Sequence, residues 1–263
     1  MSRIFITGSV DGLGRAAAQT LLDEGHQVIL HAREPGRLDA VRDLLDRGAQ
    51  AAIGDLSDVQ QIRQLAEQVN RLGRPDAVIH NAGMFTGPQV MPVNVMAPYL
   101  LTALIERPKR IVYLSSSMHF DGVAELNGVD WLGGVAGSYS DSKLFVTALA
   151  AAVARLWPDV ISSAVDPGWV PTKMGGADAP DDLALGHVTQ AWLVSSDEPQ
   201  ALASGGYWHH QQRFEPHTVV YDEAFQTALL AQLARAGGVP AAGLRTVLCW
   251  PVGACRRAFM LAG

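Results

Sequence analysis

Short apolar runs alternate with helix-patterned stretches along nearly the whole chain, and this alternation limits the fold more than any other feature. Residues 3–7 (Arg-Ile-Phe-Ile-Thr) read as a strand, and 12–24 as a helix with Ala16, Ala17, Thr20 and Leu21 on one side. The pattern repeats: strands at 27–30, 51–54, 77–80, 110–114 and 160–165, and helices at 36–46, 58–71, 93–105 and 138–156. Asp58 is placed to cap the third helix. A seventh strand is expected around 206–209 and a last helix near 222–236. A helix between successive strands returns the chain to the same edge, so the strands run parallel, and right-handed crossovers cover both faces. The expectation is therefore an α/β fold: one domain over residues 1–240, a Rossmann-type, doubly wound, seven-stranded parallel sheet with helices on both faces. A chain of 263 residues is long enough to bury such a sheet.

Charge and cysteine content narrow the function classes. Lys and Arg number 20 against 26 Asp and Glu, a net charge of −6, which argues against nucleic acid or an anionic membrane as the main partner. No stretch approaches the roughly 18 apolar residues of a spanning helix. The first residues run straight into the first strand, so they are read as part of the fold rather than as a leader. Both cysteines, Cys249 and Cys255, lie in the last fifteen residues, so no disulfide framework holds the body, and a cytoplasmic location is expected.

The first strand ends in Thr7-Gly8-Ser9-Val10-Asp11-Gly12-Leu13-Gly14 and a helix follows at once. Glycines here let the backbone approach a pyrophosphate, and the new helix offers free N–H groups and its positive dipole end. The spacing is G-x-x-x-G-x-G rather than the commoner G-x-G-x-x-G. Thr-Gly-x-x-x-Gly-x-Gly after a first strand resembles the short-chain dehydrogenase/reductase family, and later motifs appear in that family's order as far as about residue 210. The resemblance implies that Gly8, Ser9, Gly12, Leu13 and Gly14 meet a dinucleotide. It implies that Asp55-Leu56 contacts the adenine, and that Asn81-Ala82-Gly83 steadies the central sheet and lines the adenosine side. At the end of the second strand, Leu30-His31-Ala32-Arg33-Glu34 carries a base where an acid would hold the 2′-hydroxyl of NAD. Arg33 can clamp a 2′-phosphate, so NADP(H) is expected in preference to NAD(H), with NAD(H) still possible.

Tyr139-Ser140-Asp141-Ser142-Lys143 opens the long helix, and residues four apart share a helix face. A phenol with an ordinary pKa near ~10 is a poor acid–base catalyst at neutral pH. A neighbouring cation favours the phenolate, so Lys143 is expected to lower the pKa of Tyr139. The fifth strand ends in Ser115-Ser116-Ser117, at the carboxyl edge where such sheets bind ligands. By resemblance Ser116 orients the substrate oxygen, although Ser115 and Ser117 are near enough for the assignment to slip by one. Asn94 matches a fourth catalytic residue that supports proton resupply. Asp166-Pro167-Gly168-Trp169-Val170-Pro171-Thr172 matches the segment whose Val170 and Thr172 hold the nicotinamide carboxamide, with 173–187 as a lid. Tyr139 and Lys143 would also touch the cofactor, the lysine at the nicotinamide ribose.

The reading that follows is an oxidoreductase moving a hydride between NADP(H) and a carbonyl or alcohol. Trp131, Trp169, Met174 and Phe120 suggest an apolar substrate. The alternative is a catalytically silent dinucleotide sensor, which has no reason to keep Asn94, Ser116, Tyr139 and Lys143 together. His209, His210, His217 and Asp222 lack the spacing of a metal site, so no metal is expected. The resemblance implies a homodimer or homotetramer paired through the helices that start near Asn94 and Tyr139. Residues 241–263 form an apolar tail, either a loosely packed extension or an amphipathic segment for a membrane or partner.

Overall fold

Three buried apolar residues, Ile4, Phe5 and Ile6, with the half-buried Arg3 before them, form β1 (Arg3–Ile6) in the interior of the sheet. The computed structural model describes residues 1–240, so both cysteines and the tail lie outside the described residues. In chain order the elements are β1, α1 (Gly12–Asp23), β2 (Gln27–Ala32), a 3-10 segment (Pro35–Val41), α2 (Arg42–Asp46), β3 (Gln50–Ile53), α3 (Val59–Leu72) and β4 (Ala77–His80). A π-helical turn (Pro92–Met96), α4 (Ala97–Leu104), β5 (Arg110–Leu114), α5 (Tyr139–Leu156), β6 (Ile161–Asp166) and α6 (Val188–Ser195) follow. The described chain closes with β7 (Tyr207–His209), β8 (Gln212–Phe214) and α7 (Glu223–Gly237).

The strands lie in the order β3-β2-β1-β4-β5-β6-β7-β8. β1 to β7 are parallel, as expected, and their inner members are buried on both faces, which is why they read as unbroken apolar runs. The eighth strand is an addition: β8 pairs antiparallel with β7 through a turn at His210 and Gln211, both at positive φ. Such two-residue turns favour Asn and Gly, so His-Gln gave no hairpin signal. The strand order reverses on either side of β1, opening a crevice at the carboxyl ends of β1 and β4.

Two expected helices are modified by proline. Pro35 and Gly36 turn the first part of the 36–46 helix into a 3-10 segment, leaving α2 only five residues. Pro92 opens the helix that carries Asn94, and the turn there widens to π geometry. Caps fit the expected boundaries: Asp58 accepts from Gln60 N and Gln61 N, and Ser138 accepts from Asp141 N, each typically worth ~1 kcal/mol.

α7 packs across α5, and its end reaches α4. Tyr99 Oη donates to Val239 O at 2.7 Å, Arg155 Nε to Gln226 Oε1 at 2.8 Å, and Trp131 Nε1 to Gln232 Oε1 at 3.1 Å. A Cβ on Gly237 would lie 2.9 Å from Leu100 Cδ2, so helix and partner touch at backbone distance. Residues 142–153 of α5 are buried without a break. α7 therefore packs along α5, one of the two helices through which the resemblance implies pairing, and its end touches the other, α4, at Tyr99 and Leu100.

Candidate active site

The glycine turn and the Asn-Ala-Gly turn are knitted together at the crevice. Asn81 Nδ2 donates to Thr7 O at 3.0 Å and Gly8 O at 3.2 Å, and Ala82 N donates to Thr7 Oγ1 at 3.0 Å. Gly8 sits at φ +63, and a Cβ there would be 3.0 Å from Ala82 Cα. A Cβ at Gly14 would come within 2.4 Å of Asn81 Nδ2 and 2.5 Å of Gly8 O, so only glycine lets the helix start this close. Asp11 caps α1 and forms ion pairs with Arg37, at 3.5 Å, and with Lys173 of the loop after β6. These contacts lower the Asp11 pKa, the Lys173 hydrogen bond most of all, while partial burial opposes them.

Facing the glycine turn across a cleft of about 700 Å³ are Ser116, Tyr139, Lys143 and the loop 167–175. Ser116 caps the 3-10 turn Ser117–Asp121, accepting from Met118 N at 3.2 Å, and its hydroxyl shares the cleft lining with the Tyr139 phenol. Ser115 is 1% exposed and tied to Thr147 Oγ1 at 2.6 Å, so its hydroxyl serves the core. Lys143 is 5% exposed, with Nζ donating to Leu114 O at 2.8 Å and lying 5.3 Å from the centroid of the Tyr139 ring. Asn94 accepts from Met84 N at 2.7 Å and donates to Met84 O and Ser142 Oγ, each at 2.9 Å. A Cβ on Gly83 would lie 3.5 Å from Asn94 Oδ1 and 3.7 Å from Lys143 Nζ, so both side chains border that glycine.

The electrostatics differ from the sequence expectation. Burial pushes the Tyr139 phenol up to about 12; the Ser116 hydrogen bond opposes this and the charge of Asp166 adds to it. The Lys143 ammonium donates to the Leu114 carbonyl and lies over the Tyr139 ring. Burial instead brings Lys143 itself down to about 8, with Asp166 pulling the other way.

The Pro167-Gly168 turn carries the far wall. Gly168 sits at φ +82 and donates to Asp166 Oδ1 at 2.9 Å, and Trp169 N donates to Asp181 Oδ2 at 2.6 Å. Thr172 Oγ1 accepts from Gly175 N at 3.2 Å, and a Cβ on Gly12 would be 3.8 Å from Thr172 Cγ2, which brings this loop over the glycine turn. Phe85, Met118, Trp169 and Met174 line the mouth with large exposed apolar surface.

Several anticipated residues lie elsewhere. Ser9 points inward, donating to Ile6 O at 2.9 Å and accepting from His31 N at 2.8 Å. Gly14 belongs to the helix start rather than the cleft wall. Asp55 accepts from Ser57 N and Oγ, at 2.9 and 2.7 Å, Leu56 is buried, and Arg33 is exposed at the end of β2; all three lie outside the lined cleft. Trp131 is a core residue, 5.6 Å from Phe145 between ring centroids. Sequence reasoning assigned no role to Asp166, whose carboxylate reaches the site from β6, or to His119. His119 is fully buried, with Nδ1 on Ser116 O at 2.8 Å and Nε2 accepting from His217 N at 3.0 Å.

The cleft fits a dinucleotide on its own terms: a cradle of glycines that a Cβ would fill, beside a helix N-terminus, opposite a phenol–hydroxyl–ammonium group. Comparison with known proteins agrees. A family profile described as short chain dehydrogenase matches residues 2–182. The short-chain dehydrogenase chry4 of Gibberella zeae is 36% identical over 245 residues, covering 88% of this chain and 95% of that protein. A putative daunorubicin C-13 ketoreductase, DnrU, from Streptomyces sp. is 31% identical over 235 residues, covering 78% and 82%. Among solved structures, a putative short-chain dehydrogenase from Shigella flexneri complexed with NADP superposes with a TM-score of 0.63 at 26% identity, covering 80% of this chain and 97% of that one.

Proposed function

The chain belongs to the short-chain dehydrogenase family, and from that premise and the geometry of the cleft we propose that it reduces an apolar carbonyl compound with NADP(H), or oxidises the corresponding alcohol. The observation that carries this reading is that Ser116, Tyr139 and a buried Lys143 line one cleft with the glycine cradle. When bound there, a nicotinamide dinucleotide supplies or accepts the hydride. Gly8, Gly12, Leu13, Val170 and Thr172 would hold it, with Arg33 beyond the cleft for a 2′-phosphate. The NADP named in the Shigella structure and the exposure of Arg33 support NADP(H) over NAD(H).

The chain's own groups handle the proton. The Ser116 and Tyr139 hydroxyls converge on a substrate carbonyl oxygen, fixing it and stabilising the negative charge that develops there. Tyr139 passes its phenolic proton to that oxygen as the carbonyl becomes an alcohol. With its pKa pushed up to about 12, Tyr139 holds that proton at neutral pH, the state a reduction requires. Lys143 orients ribose hydroxyls from the floor, and Asn94 holds the 84 backbone beside it, next to the path by which Tyr139 regains a proton. Phe85, Met118, Trp169 and Met174 keep water from the reacting carbonyl and favour a hydrophobic ketone or aldehyde. The ketoreductase name carried by DnrU is in keeping with such a substrate.

Fluorescence titration of the purified protein with NADPH and separately with NADH tests the reading. Tight NADPH and weak NADH binding supports it, and a site filled at a hundred times its Kd also stabilises the fold by ~2.7 kcal/mol. Binding of neither would refute it.

A further inference from the structure

His31 is the penultimate residue of β2, inside the segment that separates the two cofactors by its arginine, yet its side chain turns away from solvent and is only 3% exposed. The imidazole lies directly beneath the glycine turn. Nδ1 accepts from Gly8 N at 2.9 Å, and Nε2 lies 2.8 Å from Gly54 O. A carbonyl accepts only, so the ring proton is on Nε2 and Nδ1 keeps its lone pair for Gly8. The backbone of the same residue donates to Ser9 Oγ at 2.8 Å, and that hydroxyl passes its own proton to Ile6 O at 2.9 Å. One residue therefore anchors two consecutive members of the turn.

The anchoring has little slack. Gly8 stands at φ +63 in close approach to Ala82, and its carbonyl accepts from Asn81. A shift of Gly8 moves the floor of the cleft and the Asn-Ala-Gly turn together. A proton on Nδ1 would set two donors, Nδ1–H and Gly8 N–H, against each other in a buried site, leaving both without an acceptor.

Resting on the reading that this cleft takes a dinucleotide, we propose that His31 is a positioning residue for the cofactor: its neutral ring holds the Gly8–Ser9 turn in the shape that receives the pyrophosphate, and protonation releases it, so affinity falls on acidification. Burial lowers the pKa of His31, while the Gly54 carbonyl and the charge of Asp55 pull it back up. Asp55, on the loop after β3, is the charged group that acts on the ring. From β1 and the glycine turn it meets the edge of Phe5, Gly8 and Ser9, all uncharged. On its own strand Arg33 and Glu34 follow, both exposed. The depressed pKa sets the direction: the neutral ring is favoured in the folded state, so its contribution to stability is complete above the unfolded value near 6.5 and is lost as pH falls toward the folded value, whereas affinity for the cofactor falls only below that folded value.

The test is calorimetric binding of NAD⁺ between pH 5 and 8, a ligand without the titrating 2′-phosphate of NADP⁺. In the native protein, Kd should rise about tenfold per pH unit below the His31 pKa, the slope of a single proton. His31→Gln offers an acceptor for Gly8 and a donor for Gly54 but cannot titrate, so its Kd should stay flat across the same range. Should that variant fail to fold, the His31 ring resonances of the native protein give the second readout, their midpoint moving to lower pH when NAD⁺ saturates the site. An acid limb of equal size in His31→Gln, or a midpoint unmoved by NAD⁺, overturns the role of His31 alone. No NAD⁺ or NADP⁺ binding by the native protein at pH 8 overturns the dinucleotide reading, and this inference with it.

Discussion

The phenol of Tyr207 on β7 donates to the carboxylate of Asp166 on β6 at 3.2 Å, and this pair sits one strand away from Ser115 and Ser116. Burial raises the Tyr139 pKa first, and the charge of Asp166 raises it further. Asp166→Asn keeps an oxygen for Gly168 N but removes the charge. The Tyr139 midpoint should then fall below its native position near 12. Tyrosinate absorbance, with the titration of Tyr139→Phe subtracted, isolates that one phenol, and an unmoved midpoint would show that Asp166 has no hold on it.

Lys143 sets a different limit on pH. Its ammonium is brought down to about 8, so it is charged below that pH and neutral above, while Tyr139 stays protonated through the same window. kcat/KM for carbonyl reduction, which reports the free enzyme, should hold below pH 8 and decline above it. A profile flat to pH 10 would remove the lysine charge from the mechanism.

Tyr139→Phe deletes the acid and leaves the ring packed 4.8 Å from Phe85 between centroids. Reduction should slow by about 10²–10⁴, the usual worth of a positioned acid. NADPH binding and melting temperature should change little, and undiminished turnover would assign the proton to another group.

Leu233 of α7 is fully buried against the α4–α5 layer. Leu233→Ala should cost ~2–5 kcal/mol in denaturant unfolding, the range for an excised core leucine. With α7 packed along α5 where a partner chain would sit, light scattering should give the mass of one chain, 28.1 kDa. A doubled mass would place the subunit contact on another face.

Gly14→Ala drives a methyl into Asn81 Nδ2 and the Gly8 carbonyl, at 2.4 and 2.5 Å. One of these is backbone and cannot step aside, so strain of ~1–3 kcal/mol and loss of dinucleotide binding are expected together. Native NADPH affinity in this variant would mean that the turn does not form the cradle.

The amino-acid sequence by itself determined the parallel core and the outline of the site. The inner strands β1, β2, β4, β5 and β6 are buried between helix layers, so their apolar character carries its own signature, and helix spacing alone puts Tyr139 and Lys143 on one face. What the chain could not reveal locally, the tertiary structure decided. β8 is exposed and joined by a His-Gln turn, so neither burial nor turn chemistry marked it. Setting Ser115 aside depended on Thr147, 32 residues away, drawing its hydroxyl into the core. His31 and Gly8 are 23 positions apart and Asp166 and Tyr207 are 41, so their pairings exist only once β2 lies beside β1 and β7 beside β6. Periodicity is a property of neighbours along the chain; the direction and protonation of a buried polar group depend on neighbours brought in by folding.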